Sequence, residues 1–351
     1  MDKLYLLLSP ADQVKAINSM NHKNIPDREL AGQRVMAGFT GTQFNDEIEH
    51  LITNLKIGGL ILFTLNVETP AQVKSLCDQA QACARAEGFP PLFIAIDQEG
   101  GAVARLKAPG FKIFPGNPSI STQDQARAFA SSMAEELHRV GVNLNLAPVM
   151  DVVPGGFDSI MESRAFPGDP QKVADLGACV IETLQKRGIM ACAKHFPGIG
   201  RTVIDSHFEL PVLHADWDLL ESSDLVPFVR AVEAEVATIM LSHILYPGLD
   251  PVWPASLSPH IAHNLLRKKI GFRGVSMTDD LDMKAIKQDI PTCITQILES
   301  DIDIALICHS GPDIEMAVKE IEEQTKRDER LFGMAGESLE RIIRLKKRFL
   351  K

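Results

Sequence analysis

The chain has 351 residues and a formal net charge of −10, with 45% hydrophobic and 23% charged residues. That is ordinary globular composition. An acidic chain with no basic stripe makes nucleic acid a poor partner; its one basic cluster, RLKKRFLK at the C-terminus, fits a solvated helix end favoured by the helix dipole.

The six cysteines form no C-x-x-C pair and most sit within apolar or helical runs, as expected of a reduced cytoplasmic protein. The apolar run near the N-terminus, in MDKLYLLLSPADQ, is shorter than the about 7–15 residues of a signal-peptide core. No apolar run approaches the roughly 20 residues that span a membrane. A membrane partner is therefore not expected.

In chain order, residues 1–30 read as an N-terminal extension with a short helix over 11–20 and a breaker at Asn24-Ile25-Pro26. From residue 31 onward, short apolar runs alternate with amphipathic ones. QRVMAGF (33–39) predicts the first strand and GGLILF (58–63) the second, with a helix near 44–56 between them. Thr69-Pro70 opens a helix to about 87, with proline in its first turn. PLFIAI (91–96) predicts the third strand, and VNLNLAP (142–148) the fourth after a helix near 122–140. Asp169-Pro170 opens the next helix, and GIMACAKHF (188–196) is the fifth strand. A helix over 215–235 leads to VATIMLSH (236–243), the sixth. Ser258-Pro259 opens a helix before GVSMTDD (274–280), and DIDIALICH (301–309) is the eighth strand, followed by two terminal helices.

Short, nearly continuous apolar runs are the mark of parallel strands buried on both faces. The repeated β-then-α order predicts an α/β protein with a single (β/α)8 TIM-type barrel over 31–351, preceded by the extension and closed by C-terminal helices. A doubly wound open sheet is the alternative. It is weakened because no G-x-G-x-x-G follows the first strand.

In such a barrel the active site lies at the C-terminal strand ends, and polar groups gather there. Strand three ends in Asp97-Gln98-Glu99-Gly100-Gly101 with Arg105 close behind; strand four is followed by Asp151 and, along a long loop, Arg164. Strand five ends in Lys194-His195, strand six in His243, strand seven in Asp279-Asp280 and strand eight in His309. Asp279 directly follows a buried strand, so it is a rigidly held candidate nucleophile, metal ligand or hydrogen-bond acceptor. Asp205 and His207, two apart in the loop after strand five, are spaced to pair. A carboxylate beside imidazole orients the ring and favours its protonated form, which makes His207 a candidate general acid. Lys194 and His195 are donors suited to sugar hydroxyls or an anion. A rival reading takes His195, His207, His243 and Asp279 as metal ligands. It lacks the H-x-H usual at the end of the first strand, which here reads Gly38-Phe39-Thr40.

The segment KHFPGIGRTVIDSH (194–207) resembles the KHFPGHG…DSH segment of glycoside hydrolase family 3, in its single-domain β-N-acetylglucosaminidases. So do IDQEGGAVARL (96–106), NLNLAPVMDV (143–152), SRAFPGDP (163–170), PASLSP (254–259) and GFRGVSMTDDLDM (271–283), in the family's order. The resemblance implies a TIM barrel that releases terminal β-linked N-acetylglucosamine with retention, acting on peptidoglycan fragments during cell-wall recycling. It implies that Asp279 is the nucleophile and His207 the acid/base, oriented by Asp205. It also implies sugar contacts from Asp97, Arg105, Arg164, Lys194 and His195. Neither a metal nor an organic cofactor is expected.

The chain departs from the family pattern at Ile199, where His is usual, at Arg201, where Asp is common, and at Leu65 before Asn66, where Arg is common. These departures bear on loop closure and leaving-group preference. Each site residue also has a bland alternative. Asp97 could cap the glycine turn, Arg164 could pair on the surface with Glu162 or Asp169, and Asp151 is expected to hold its own loop. His243 and His309 could be hydrogen-bonded histidines of the scaffold, and Asp280 a supporting acid. Among functions, a family 3 β-glucosidase usually carries its acid/base on a further domain, whereas this chain carries Asp205-x-His207. A phosphorylase using the same site and a non-catalytic sugar-binding barrel are the other readings.

Overall fold

The computed structural model of the protein describes residues 27–204, 206 and 208–350. Most of the expected extension, and both Asp205 and His207, lie outside the described residues. The helix Asp27–Gly32 leads into eight strands: β1 (Val35–Ala37), β2 (Gly59–Leu62), β3 (Phe93–Ile96), β4 (Leu144–Asn145), β5 (Met190–Phe196), β6 (Thr238–Leu241), β7 (Val275–Thr278) and β8 (Ala305–Ile307). All neighbouring pairs are parallel, in the order β7-β6-β5-β4-β3-β2-β1-β8. The seam between β7 and β8 is closed by a parallel bridge, Met277–Ile304, and by the amide of Leu281 donating to Leu306 O at 2.9 Å. The expected (β/α)8 barrel is therefore the observed fold.

Side chains alternate across a strand, so one residue in two faces the barrel interior. The inward set includes Ile61, Phe93, Ala95, Leu144, Met190, Cys192, Val275, Met277 and Leu306, all buried in one cluster. The outward set, such as Ile94, Ala191 and Ile239, packs under the surrounding helices. Burying each large side chain contributes about 1.5–3 kcal/mol. The same phase carries past the strand ends. Phe93 and Ala95 are followed in register by Asp97, Met190 and Cys192 by Lys194, and Val275 and Met277 by Asp279. The apolar filling thus gives way to three charged groups at the C-terminal mouth.

The opposite mouth is plugged by the last helix, Glu329–Phe349. Ile342 and Leu345 join the interior cluster. Lys346 is 1% exposed; its ammonium donates to Gln33 Oε1 at 2.7 Å and Gly58 O at 2.9 Å and lies 4.8 Å from the Phe93 ring centre. Burial pulls its pKa down to about 7.

The helix starts read from sequence are observed. Thr69 caps Pro70–Ala86, Thr122 and Gln125 form a capping box on Gln123–Arg139, and Asp169 caps Pro170–Lys186. One expectation needs correction. The single helix over 215–235 is broken into Trp217–Leu219, a wider-wound π turn at Leu220–Asp224, and Val226–Glu233. Pro227 has no amide to continue a helix and instead starts a new one; the amide of Leu225 reaches back five residues to Leu220 O at 2.8 Å. The helix Ile290–Glu299, between β7 and β8, had no boundaries from sequence. Among the described residues no helix is long and apolar enough to cross a membrane.

Candidate active site

A cavity of about 320 Å³ opens at the C-terminal mouth of the barrel. Phe63, Leu146, Met240 and Leu306 form its apolar floor, and Asp97, Arg105, Arg164, Lys194, His195 and Asp279 all line it. The structure thus brings together every expected site residue that it describes.

Lys194 is the centre of one wall. It is 2% exposed, and its ammonium lies 2.7 Å from Asp97 Oδ1 and 2.7 Å from Glu99 Oε1. Burial alone would strip the proton from the lysine, but Asp97 and Glu99 outweigh it and hold the pKa above its ordinary value. Burial alone would likewise raise Asp97 and Glu99, yet the neighbouring cations keep both carboxyls below the usual carboxylate range. Arg105 donates to Asp97 Oδ2 at 3.1 Å and lies over the Phe63 ring at 5.2 Å. Its Nε is buried with no partner among the described residues, on a side chain that lines the cavity. Gln98 holds this arginine in place, since Gln98 Oε1 accepts from the amides of Arg105 at 2.8 Å and Leu106 at 3.0 Å.

Arg164 grips Glu99 with two parallel bonds, from Nε at 3.0 Å and from NH2 at 2.7 Å. This bidentate fork is the strong form of such a pair. The surface pairing with Glu162 or Asp169 is therefore not what forms. NH2 of Arg164 also lies 3.4 Å from His195 Nε2. A guanidinium only donates, so Nε2 accepts, and Nδ1 carries the hydrogen that it donates to Asp151 Oδ2 at 2.8 Å. Contrary to expectation, the bonds of the Asp151 carboxylate go to β5 and the loop after it rather than to its own loop. Its other oxygen accepts from the amides of His195, within β5, and Ile199, on the loop after it.

Asp279 leaves β7 with its amide donating to Leu241 O at 2.9 Å, and its Oδ1 accepts from the amide of Asp280 at 2.9 Å. It is half-buried, and among the described residues no cation is within ion-pair distance of it. Asp280 is a supporting acid: its Oδ1 accepts from the amides of Cys308 at 3.0 Å and Asp282 at 3.1 Å, and burial raises its pKa to about 6. Ser206, between the two undescribed positions 205 and 207, lines the cavity, and Ser206 O accepts from the amide of Ala285 at 3.2 Å.

The metal reading loses its two described histidines as donors. Both nitrogens of His195 are engaged as above. His243 Nε2 donates to Asp280 O at 2.7 Å, and its Nδ1 accepts from Ser256 Oγ at 2.6 Å. Among the described residues, ligand atoms converge only at Asp280, Asp282 and His309, a group that includes neither His195, His243 nor Asp279. Sequence reasoning did not single out Glu99 and assigned Asp151 to the wrong loop. Glu99 carried a signal, because its spacing from Asp97 puts both on one side of an extended segment.

Comparison with known proteins gives a consistent result. The profile described as "Glycosyl hydrolase family 3 N terminal domain" matches residues 15–345. Among curated proteins, the β-hexosaminidase A of Pseudoalteromonas piscicida is 37% identical over 287 residues, covering 76% of this chain and 48% of that protein. This chain therefore spans about half the length of that relative. The β-hexosaminidase of Thiobacillus denitrificans is 35% identical over 286 residues, covering 78% of each chain. Among solved structures, a family 3 β-N-acetylglucosaminidase from Paenibacillus sp. str. FPU-7 superposes with a TM-score of 0.86 at 34% identity, covering 92% of this chain and 62% of that one. NagZ from Neisseria gonorrhoeae, in complex with N-trifluoroacetyl-D-glucosamine, superposes at 0.74 with 30% identity, covering 87% of this chain and 89% of that one.

Proposed function

The chain belongs to glycosyl hydrolase family 3, and from that premise we propose that it is a retaining β-N-acetylhexosaminidase that releases terminal β-linked N-acetylglucosamine. The observation that carries this reading is Asp279, free of any described ion pair at a rigid strand end, facing the same cavity as a charged wall of sugar-binding type. The names of the relatives support the substrate class. A peptidoglycan fragment as the natural substrate, and a cytoplasmic role in cell-wall recycling, follow from the motif resemblance.

The proposed mechanism has two steps. A carboxylate oxygen of Asp279 attacks C1 of the sugar while His207, protonated and oriented by Asp205, gives its proton to the departing glycosidic oxygen. The aglycone leaves as an alcohol, with the sugar bound to Asp279. Neutral His207 then takes a proton from water, the hydroxide oxygen attacks C1, and Asp279 is released as carboxylate. The two displacements preserve the anomeric configuration. The acid contributes on the order of 10²–10⁴ in rate. Asp97, Lys194 and Arg105 offer hydroxyl partners, and Arg164 with His195 forms the adjoining part of that wall.

The test compares 4-nitrophenyl β-N-acetylglucosaminide with the matching glucoside, with and without phosphate, following the first product by NMR. The expected result is hydrolysis of the glucosaminide, β-configured sugar first and no effect of phosphate. Preference for the glucoside, or formation of a sugar 1-phosphate, would overturn the reading in favour of a glucosidase or phosphorylase. No turnover of either substrate would leave a binding protein.

A further inference from the structure

The loop after β5 is pinned at its root, where Ile199 lines the cavity, and reaches the cavity again at Ser206. At the root, Gly198 has φ 125°, a conformation open to glycine, and a Cβ there would lie 2.9 Å from Asp224 Cβ. Tyr246 Oη donates to Gly198 O at 2.8 Å, and the amide of Ile199 donates to Asp151 Oδ1 at 2.8 Å. A Cβ on Gly200 would meet Val152 O at 2.0 Å, so this backbone lies flat against the loop after β4. Beyond Thr202 the chain turns outward, with Val203 60% exposed, before Ser206 is buried again at the cavity.

Arg201 sits at the point where the pinned root becomes the outward arm. Its Nε lies 3.2 and 3.0 Å from the two oxygens of Asp224, and its NH2 donates to Ser223 Oγ at 2.9 Å. Asp224 is 1% exposed and belongs to the π turn that the proline at 227 creates. Arg201 is not among the residues that line the cavity, so it has no direct line to the sugar.

We propose that Arg201, clasped to Asp224 and Ser223, is a positioning residue that sets the angle at which the chain leaves the barrel at 202–204, and through it the delivery of the proton in the reaction proposed above. This rests on the glycosidase reading above. Three observations carry it: the two-point grip on a buried carboxylate, the close packing of Gly198 on that same residue, and the location of the pair between the pinned root and the arm. Burial raises Asp224 to about 6, against the pull of Arg201, so loss of the arginine leaves an uncompensated buried acid and slackens the grip. A misplacement of about 1 Å in a catalytic group costs on the order of 10²-fold.

The experiment measures kcat/KM for Arg201→Ala on two β-N-acetylglucosaminides, one with a 2,4-dinitrophenyl leaving group and one with methyl. The activated leaving group needs no proton, and the alkyl one does. We expect the methyl substrate to lose at least about 10-fold more than the aryl one. We also expect azide to raise kcat on the aryl substrate in the variant but not in the wild type, because azide attacks without a base. Arg201→Lys should recover part of the loss. Asp224→Asn, of the same size, should reproduce the leaving-group pattern, and the double variant should cost no more than the worse single one. Equal losses on both substrates with no azide response, no loss at all, or additive losses would overturn the positioning role. A wild type that turns over neither substrate would instead overturn the glycosidase reading, and this role with it. The Lys and Asn variants keep the test decisive if the Ala variant does not fold.

Discussion

Asp151 and His195 are 44 positions apart in the chain and 2.8 Å apart in the barrel. The carboxylate receives the Nδ1 hydrogen with one oxygen and two backbone amides, one in β5 and one in the loop after it, with the other. One residue therefore fixes both the tautomer of the pocket histidine and the root of the loop behind it.

Replacing Asp151 with Asn keeps the shape but lets the amide nitrogen face Nδ1. The ring hydrogen is then driven to Nε2, where it meets the Arg164 guanidinium at 3.4 Å. We expect kcat/KM on an aryl β-N-acetylglucosaminide to fall by about 10–100-fold, as for a lost supporting partner. The stability loss should be about 1–3 kcal/mol, that of one mispaired buried group. Steady-state kinetics with urea denaturation checks both, and an unchanged kcat/KM would remove the tautomer argument.

Asp279→Ala should abolish turnover while leaving the thermal transition near that of the wild type, since this side chain makes no ion pair among the described residues. His207→Ala should cost far more on a poor leaving group than on an activated aryl one. Undiminished activity in the first variant, or equal losses in the second, would reassign the two roles.

Glu99→Gln removes a buried carboxylate shared by Lys194 and Arg164, each 2.7 Å away. Loss of one partner of a buried pair costs about 3–5 kcal/mol. The pH dependence has a definite sign. Glu99 is held below its ordinary value of 4.5 despite burial, so its contribution is present above that value and fades as pH falls below it. Urea midpoints at pH 7 and pH 4 should therefore differ less in the variant than in the wild type.

Lys346 works in the opposite direction. Burial lowers its pKa from 10.5 to about 7, so between those values the unfolded chain binds a proton that the folded chain has released. Stability then rises with pH across this window, by about 2 kcal/mol between pH 7 and pH 9 at 1.36 kcal/mol per unit. Lys346→Met should flatten that rise. Parallel slopes in the two proteins would show that the lysine stays charged in the fold.

Most of the barrel was legible because parallel strands buried on both faces must be apolar, and apolar runs are visible without any partner. Asp97, Lys194 and Asp279 were legible for a related reason: each continues the inward phase of its strand just where the run ends. What escaped depends on contacts between distant segments. The choice by Asp151 of the β5 loop over its own is set by how β4 lies beside β5. Glu99 was visible, but its task became clear only once Arg164, far along another loop, turned back to meet it. The broken helix at 215–235 was missed although Pro227 marked it, because the periodicity on either side ran through the break.

The wall around Lys194 also has a consequence for which sugars are admitted. Its formal charges are three carboxylates, Asp97, Glu99 and Asp151, against three cations, Lys194, Arg105 and Arg164; Asp97 and Glu99 pair with the cations, and Asp151 is engaged by His195 and the amide of Ile199. The sum is zero, so the wall can satisfy hydroxyls from many directions yet offers no surplus charge. Asp279, which has no ion pair among the described residues, adds a carboxylate on the facing side of the cavity. A uronic acid would bring its carboxylate into a balanced wall beside an anion, whereas a neutral sugar or a ring bearing a protonated amine would not. On the proposed glycosidase reading, the fold would in this way screen its guests by charge before any bond is broken.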